Sequence, residues 1–194
     1  VLDGLDELGL WDNTIVVYTS DHGEMGGEHG IYQKFCMFDP AVKVPLMVSY
    51  PPSIPQGQVT EALTEYFGLY PTLSDLAGLP APEQTTVVDF EGACEEMDAT
   101  SFADVLRDPQ AEGPEVIFSE HGLRSALASY LVRSKQFKYV HNDGGSCHEL
   151  YDLENDPGEF RNVIGDATYQ SVVEDLHDRL VAWYDPNKNV HRDK

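Results

Sequence analysis

The chain has 194 residues, with 34 Asp and Glu against 12 Lys and Arg, for a formal net charge of −22. That length suits one domain with an annex and can bury roughly 70% of the unfolded surface, while no run of 18 apolar residues is present to cross a membrane as a helix. The charge excludes nucleic acid or an anionic bilayer as main partner, because gripping phosphates takes basic surfaces that 12 residues barely supply.

Val1, Leu2, Leu5, Leu8 and Leu10 fall near helical spacing with acids between them, which predicts a first helix over 1–10. Trp11-Asp12-Asn13 breaks it as a turn. Residues 14–19, Thr-Ile-Val-Val-Tyr-Thr, form a β-branched apolar run that suits a strand covered on both faces, as in the middle of a parallel sheet. Helix, tight turn and buried strand in that order are α/β grammar. Gly23, Gly26, Gly27 and Gly30 bend the next stretch into a loop. Residues 42–50 read as a second buried strand whose Pro45 prefers an edge, a start or a bulge. A short helix is expected over 69–77, with Pro71 in its first turn and Gly78 past its end. Residues 80–115, rich in Pro, Gly and acids, are expected to be the least regular part, with one helix at 101–107. Four short strand candidates follow at 116–120, 128–134, 137–142 and 149–153, and their brief connections favour an antiparallel sheet. Val172, Val173, Leu176, Leu180 and Trp183 then share one face of a closing helix over 169–184.

The acids are spread evenly, 16 in residues 1–97 and 18 in 98–194. A plain acidic surface accounts for this. With only six lysines, the composition favours a halophilic protein of a high-salt cytoplasm, its repulsion screened by salt. Cys36, Cys94 and Cys147 are far apart and odd in number, which fits neither a disulfide framework nor a zinc ribbon. The chain opens at Val1 with neither Met nor a signal-like segment, as a part of a longer protein would.

Polar residues begin abruptly after the first strand, at Ser20-Asp21-His22-Gly23. In open α/β sheets the ligand crevice lies beyond the carboxyl ends of strands, which makes Asp21 and His22 suspects by position. A carboxylate and an imidazole there can meet one cation. The carboxylate favours Ca²⁺ or Mg²⁺, and the histidine leaves Mn²⁺ or Zn²⁺ open. Equally, Asp21 can cap a turn and His22 can pack.

Residues 12–24, Asp-Asn-Thr-Ile-Val-Val-Tyr-Thr-Ser-Asp-His-Gly-Glu, then Gly-Glu-His-Gly at 27–30, Lys34 and Val-Lys-Val-Pro-Leu at 42–46, resemble the C-terminal half of a type I sulfatase, of the alkaline phosphatase superfamily. The resemblance continues through residues 70–78, Lys138-Tyr139 and residues 149–159. It implies a partial alkaline phosphatase-like α/β sandwich over 1–115, with a C-terminal subdomain over 116–194 of four-stranded antiparallel sheet plus helix. It implies Asp21 and His22 as ligands of a divalent metal, calcium first, with Mg²⁺ or Mn²⁺ possible. Lys34, thirteen residues after Asp21, corresponds to the lysine that contacts the sulfate and takes part in catalysis. His29 corresponds to a histidine of the Gly-Glu-His-Gly stretch, shaping the loop or contacting substrate. Lys43 supports a buried carboxylate or the strand surface, and His121, His141 and His148 lie among the small-sheet strands in surface or packing roles. Many sulfatases carry Asp where this chain has Gly68. The Cys/Ser-x-Pro-x-Arg motif that yields formylglycine has no match, nor does the family's first pair of metal-binding aspartates. The implied activity is hydrolysis of a small-molecule or carbohydrate sulfate ester, with the nucleophile outside this chain. The rival activities are a phosphonate monoester or phosphodiester hydrolase and a phosphoethanolamine transferase of the same superfamily, the latter usually with histidine where Lys34 stands. A non-catalytic remnant or binding module is the rival of another class.

If the acidic surface is a halophilic adaptation, the melting temperature of the chain should climb steadily with KCl into the molar range. Simple screening is largely spent by about 1 M, where the Debye length is roughly 3 Å. A melting temperature flat from low to molar KCl leaves only the plain acidic surface.

Overall fold

The computed structural model describes residues 1–80, 87–88, 94–95, 99–122, 128–143 and 147–184. In chain order its elements are α1 (Leu2–Glu7), β1 (Val16–Thr19), the short helix α2 (Asp39–Val42), β2 (Leu46–Ser49), α3 (Leu69–Leu76), β3 (Val87–Val88), β4 (Cys94–Glu95), α4 (Ala103–Arg107), β5 (Ile117–His121), β6 (Ser129–Arg133), β7 (Phe137–Asn142), β8 (Glu149–Asp152) and α5 (Gln170–Trp183). Of the irregular stretch expected over 80–115, residues 81–86, 89–93 and 96–98 lie outside the described residues, and the rest holds the β3–β4 pair and α4. No helix among the described residues is long and apolar enough to cross a membrane. By contact the chain forms two compact units, Val1–Thr19 with Leu46–Pro114, and Ser20–Pro45 with the part from Glu115 onward. Residues 20–45, expected to belong with 1–115, therefore pack with the C-terminal sheet.

In the first unit β1 and β2 pair antiparallel, Val16 opposite Ser49 and Thr19 opposite Leu46. This corrects the expectation of a parallel strand covered on both faces. Among the described residues β2 is the strand partner of β1, and the facing pair Tyr18 and Met47 is 61% and 58% exposed. A short apolar run reports β-propensity, not strand direction. Pro45 immediately precedes β2, where its missing N–H costs no ladder bond. On the other side of the ribbon Ile15, Val48 and Tyr50 pack against Ile54, Leu76 and Ala103. The buried Thr72 hydroxyl donates to Gly68 O at 2.6 Å and accepts from Phe102 N–H at 2.9 Å, joining α3 to the approach of α4. A Cβ on Gly68 would lie 2.6 Å from Thr100 O, so this chain has no room for the aspartate many sulfatases carry there.

In the second unit the sheet order is β5-β6-β7-β8, every pair antiparallel, with α5 against one face, as the sequence pattern predicts. Val132 faces Tyr139 and Tyr139 faces Leu150, and these three join Tyr130, Leu176 and Leu180 in the main core. On the opposite face Leu131 and Val140 receive Met37 and Val42. With both faces covered, successive residues along β6 and β7 are buried, which is why these strands read as nearly continuous apolar runs instead of alternating ones. His141 and His148 pack as expected, their rings stacked with centroids 4.2 Å apart.

The second face also buries a charge. Lys138 on β7 is 0% exposed. Its ammonium donates to Met37 O at 3.0 Å and Asp39 Oδ1 at 2.6 Å, and it pairs with Glu159. Arg133 Nη1 reaches the same Asp39 oxygen at 2.5 Å, and Asp39 N–H donates to Glu159 Oε2 at 2.6 Å. Lys43 stands 4.0 Å from the other Asp39 oxygen, the carboxylate-supporting place expected of it. Buried Glu159 and half-buried Asp39 are thus met by Lys138 and Arg133, with Lys43 at the exposed edge.

Burial alone would raise the Asp39 carboxyl, but Lys138, Arg133 and Lys43 hold it below the usual carboxylate range. A depressed folded pKa contributes stability above the unfolded value of about 3.9, and that contribution is lost as pH falls through the folded value. Urea midpoints of wild type and Asp39→Asn measured from pH 6 to 2 should therefore converge at the acid end. Parallel curves would mean that Asp39 titrates alike in both states.

Candidate metal and oxyanion site

The loop after β1 is shaped by its own backbone. Ser20 Oγ donates to His22 O at 2.7 Å, and Asp21 Oδ1 accepts from His22 N–H at 3.0 Å. Gly23 N–H donates to Ala41 O at 2.8 Å, which clamps the loop to α2. A Cβ on Gly23 would fall 1.9 Å from Pro40 O, so only glycine fits this approach. The chain then doubles back: Met25 N–H bonds Gln33 O at 3.0 Å, Gly27 N–H bonds Ile31 O at 3.0 Å, and Glu24 Oε1 takes Gln33 N–H at 2.6 Å. Buried Met25 anchors the hairpin. Lys34 is thereby returned to the side of His22.

The His22 ring is fixed by two contacts. Its Nδ1 lies 2.7 Å from Gly23 O, and because a carbonyl only accepts, Nδ1 carries the proton. The Lys34 ammonium, which only donates, meets Nε2 and needs a lone pair there, as the neutral ring with its proton on Nδ1 provides. Asp21 Oδ2 lies 3.3 Å from the same Nε2. Three of the four residues expected at the site thus meet at one atom. For Asp21, a desolvation contribution that raises the pKa is outweighed by the His22 backbone N–H and the nearby Lys34 ammonium, which lower it. Asp21 is ionised at neutral pH.

An ionised carboxylate beside a bare imidazole nitrogen, whose other nitrogen is tied to a backbone carbonyl, fits a divalent cation, since metal-binding histidines are commonly oriented this way. No group of three or more metal-binding side chains occurs among the described residues, and Asp21 with His22 stands as a candidate pair. His29 stands elsewhere. It adopts φ 51, and its ring stacks on Phe38 at 4.0 Å and Phe160 at 4.9 Å. The loop-shaping alternative matches that position. Asp39, Glu159 and the buried ammonium of Lys138 escape sequence reasoning as parts of this neighbourhood. The available signal is a lysine inside the apolar strand run Phe137-Lys138-Tyr139-Val140.

Replacing Gly23 by alanine should force α2 and the loop apart. Overpacking of this kind costs about 1–3 kcal/mol. The expected outcome is a lower urea midpoint together with weaker Mn²⁺ binding by the purified chain. An unchanged midpoint would show that the close approach is not obligatory.

Residues 27–185 match the sequence profile described as N-sulphoglucosamine sulphohydrolase, C-terminal. Arylsulfatase K of Bos taurus is 31% identical over 182 residues, which cover 93% of this chain and 32% of that protein. The N-acetylglucosamine-6-O-sulfatase of Bacteroides thetaiotaomicron is 31% identical over 178 residues, covering 91% and 31%. A solved structure in complex with its substrate D-glucosamine-2-N,6-O-disulfate aligns with a TM-score of 0.81 at 27% identity, over 100% of this chain and 39% of that one. The phosphonate monoester hydrolase of Agrobacterium radiobacter aligns at 0.78 with 29% identity, over 93% and 36%. The chain spans about a third of the length of the curated relatives it matches. With most of its residues inside that one profile and its fold shared with sulfatase structures, the chain belongs to the sulfatase family, as a sulphohydrolase C-terminal region of the alkaline phosphatase superfamily.

Proposed function

We propose that this chain supplies one side of the active site of a metal-dependent sulfatase acting on a sulfated carbohydrate. The observation that carries the reading is the meeting of Asp21, His22 and Lys34 at His22 Nε2. Asp21 and His22 are the proposed metal ligands, and Lys34 is the proposed catalytic and sulfate-binding residue. The metal is a divalent cation, calcium first because a carboxylate is a hard oxygen donor, with Mg²⁺ or Mn²⁺ as alternatives. When bound, it supplies positive charge to the sulfate oxygens. The nucleophile, formylglycine by the family resemblance, is contributed from outside these 194 residues. The carbohydrate substrate is supported by one relative named for N-acetylglucosamine-6-sulfate chemistry and by a structural neighbour bound to a glucosamine disulfate.

The work of this chain's own residues follows from its geometry. The Gly23 carbonyl holds the proton on Nδ1, so the neutral His22 ring presents its lone pair at Nε2. Asp21 remains charged and adds an anionic oxygen beside it. Lys34 carries a flexible ammonium with three donors and no acceptor, suited to non-bridging and leaving oxygens that gather negative charge. A charge aimed at those oxygens stabilises the transition state more than the ground state. A phosphonate monoester would meet the same groups, and the 29% identity to a phosphonate monoester hydrolase keeps that second reading in the test.

In an enzyme containing this chain, Lys34→Ala should lower kcat on an aryl or glucosamine sulfate by roughly 10²–10³, the range for removing one transition-state donor. Asp21→Ala should abolish metal-dependent turnover. A Lys34→Ala enzyme with unaltered kcat would refute the role of the lysine. A kcat/KM higher for phosphonate monoesters than for sulfate esters would move the assignment to the second reading.

A further inference from the structure

Both arms of the Asp21/His22/Lys34 site are tied to the buried Lys138, and they are tied through different bonds. On the first arm, Lys138 and Glu159 hold Asp39, the first residue of α2, through its side chain and its N–H respectively. Two residues further along α2, Ala41 O accepts the Gly23 N–H, and Pro40 O abuts Gly23 too closely for any side chain. Gly23 O in turn fixes His22 Nδ1. On the second arm, Lys138 Nζ donates to Met37 O, three residues after Lys34, while the Met37 side chain is buried against Leu131 and Val140 of the same sheet. A displacement of the Lys138 ammonium is therefore passed to the carbonyl that sets the His22 tautomer and to the tether of Lys34.

We propose that Lys138 is a positioning residue of the site. Its buried ammonium holds Met37 and Asp39 in place, and through them fixes the tautomer and orientation of His22 and the reach of Lys34. The proposal rests on the metal-site reading above. It assigns Lys138 no contact with substrate or metal. Its effect passes along a short chain of bonds within one compact unit, from sheet to α2 to loop. The network is not a generic stabiliser of the sheet, because the main core lies on the opposite face, where Val132, Tyr139 and Leu150 meet α5.

The test uses the 194-residue chain with two readouts, long-range ¹H–¹⁵N correlation of the His22 ring and affinity for Mn²⁺ alone. Wild type should show a protonated Nδ1 and a bare Nε2. In folded Lys138→Met the ring should average between tautomers, and the Mn²⁺ dissociation constant should rise roughly tenfold or more, as when a partner that orients a metal ligand is lost. Val132→Ala, which removes buried volume from the helix side of the sheet, should lower the urea midpoint and leave both readouts at wild-type values. Glu159→Gln keeps the side-chain shape and weakens the grip on Lys138. It should shift both readouts in the same direction by less, and it carries the test where Lys138→Met does not fold. Wild-type readouts in the folded variant overturn the proposal, as does an equal loss in Val132→Ala. Equal Mn²⁺ affinity of wild type and Asp21→Ala overturns the metal reading instead, and the tautomer comparison then still decides whether Lys138 positions the ring.

Discussion

A lysine that loses all contact with water dictates much of what surrounds it. Moving an ammonium into a protein interior costs several kcal/mol or more even after relaxation, so the fold must return ionic and hydrogen-bonding partners to it. Lys138 receives one carbonyl and two carboxylates. Those carboxylates need compensation of their own, which brings in Arg133 and the Asp39 N–H. The Glu159 backbone accepts φ 59 to deliver its carboxylate, a conformation that costs a non-glycine residue on the order of 1–3 kcal/mol. Buried ionic groups of this kind are weak sources of net stability. Their strength is in rejecting alternatives, since a shift of α2 along the sheet would strand charges in an apolar medium.

The scarcity of cations sharpens the point. Twelve basic residues face 34 acids, yet Arg133 and Lys138 both bind Asp39, and Lys138 pairs with Glu159 as well. Other bases are likewise matched to acids. Arg107 bonds Asp75 at 2.6 Å and approaches Asp104, while Arg179 bonds Glu115 and Asp175 on the outside of α5. Lys34 differs in kind, because its ammonium rests on an imidazole nitrogen and not in a carboxylate cradle. In a chain of net charge −22, a lysine left on a neutral acceptor can turn its charge toward an incoming anion without breaking a strong pair.

How much of this could be read from the residues depended on the range of the interactions. The β5–β8 sheet and α5 were legible because each strand is an apolar run bounded by short polar connections, and the run at 137–142 matches β7 residue for residue. The direction of β1 was not, since β-branched runs look alike in parallel and antiparallel sheets. The Asp21, His22 and Lys34 grouping was legible through motif resemblance, and their common locus follows from glycines that let the loop double back. Lys138 was the blind spot. Its partners Met37, Asp39 and Glu159 are distant in sequence, Met37 and Asp39 by 101 and 99 residues, and an isolated lysine in a strand is ordinarily taken for an exposed one. His29 was ambiguous for a related reason, as its aromatic neighbour Phe160 comes from the far end of the chain.

The chemistry of the loop and the buried network meet at a single lone pair. With Nδ1 held to Gly23 O, His22 Nε2 can bind one positive centre along its lone-pair direction. A divalent cation and the Lys34 ammonium are both candidates for that position, and they repel each other. In the proposed reading they become compatible when an oxyanion lies between them, neutralising both and accepting bonds from both. Affinity for cation and anion is then coupled, each improving the place of the other. Such coupling demands that the imidazole be stationary while the lysine is free to swing. The two side chains are built accordingly: His22 has its ring tied to the Gly23 carbonyl beside α2, whereas Lys34 is tethered through the main chain to Met37 and rests a flexible stem on His22 Nε2. Rigid ligand and mobile donor are both consequences of one sheet-anchored helix.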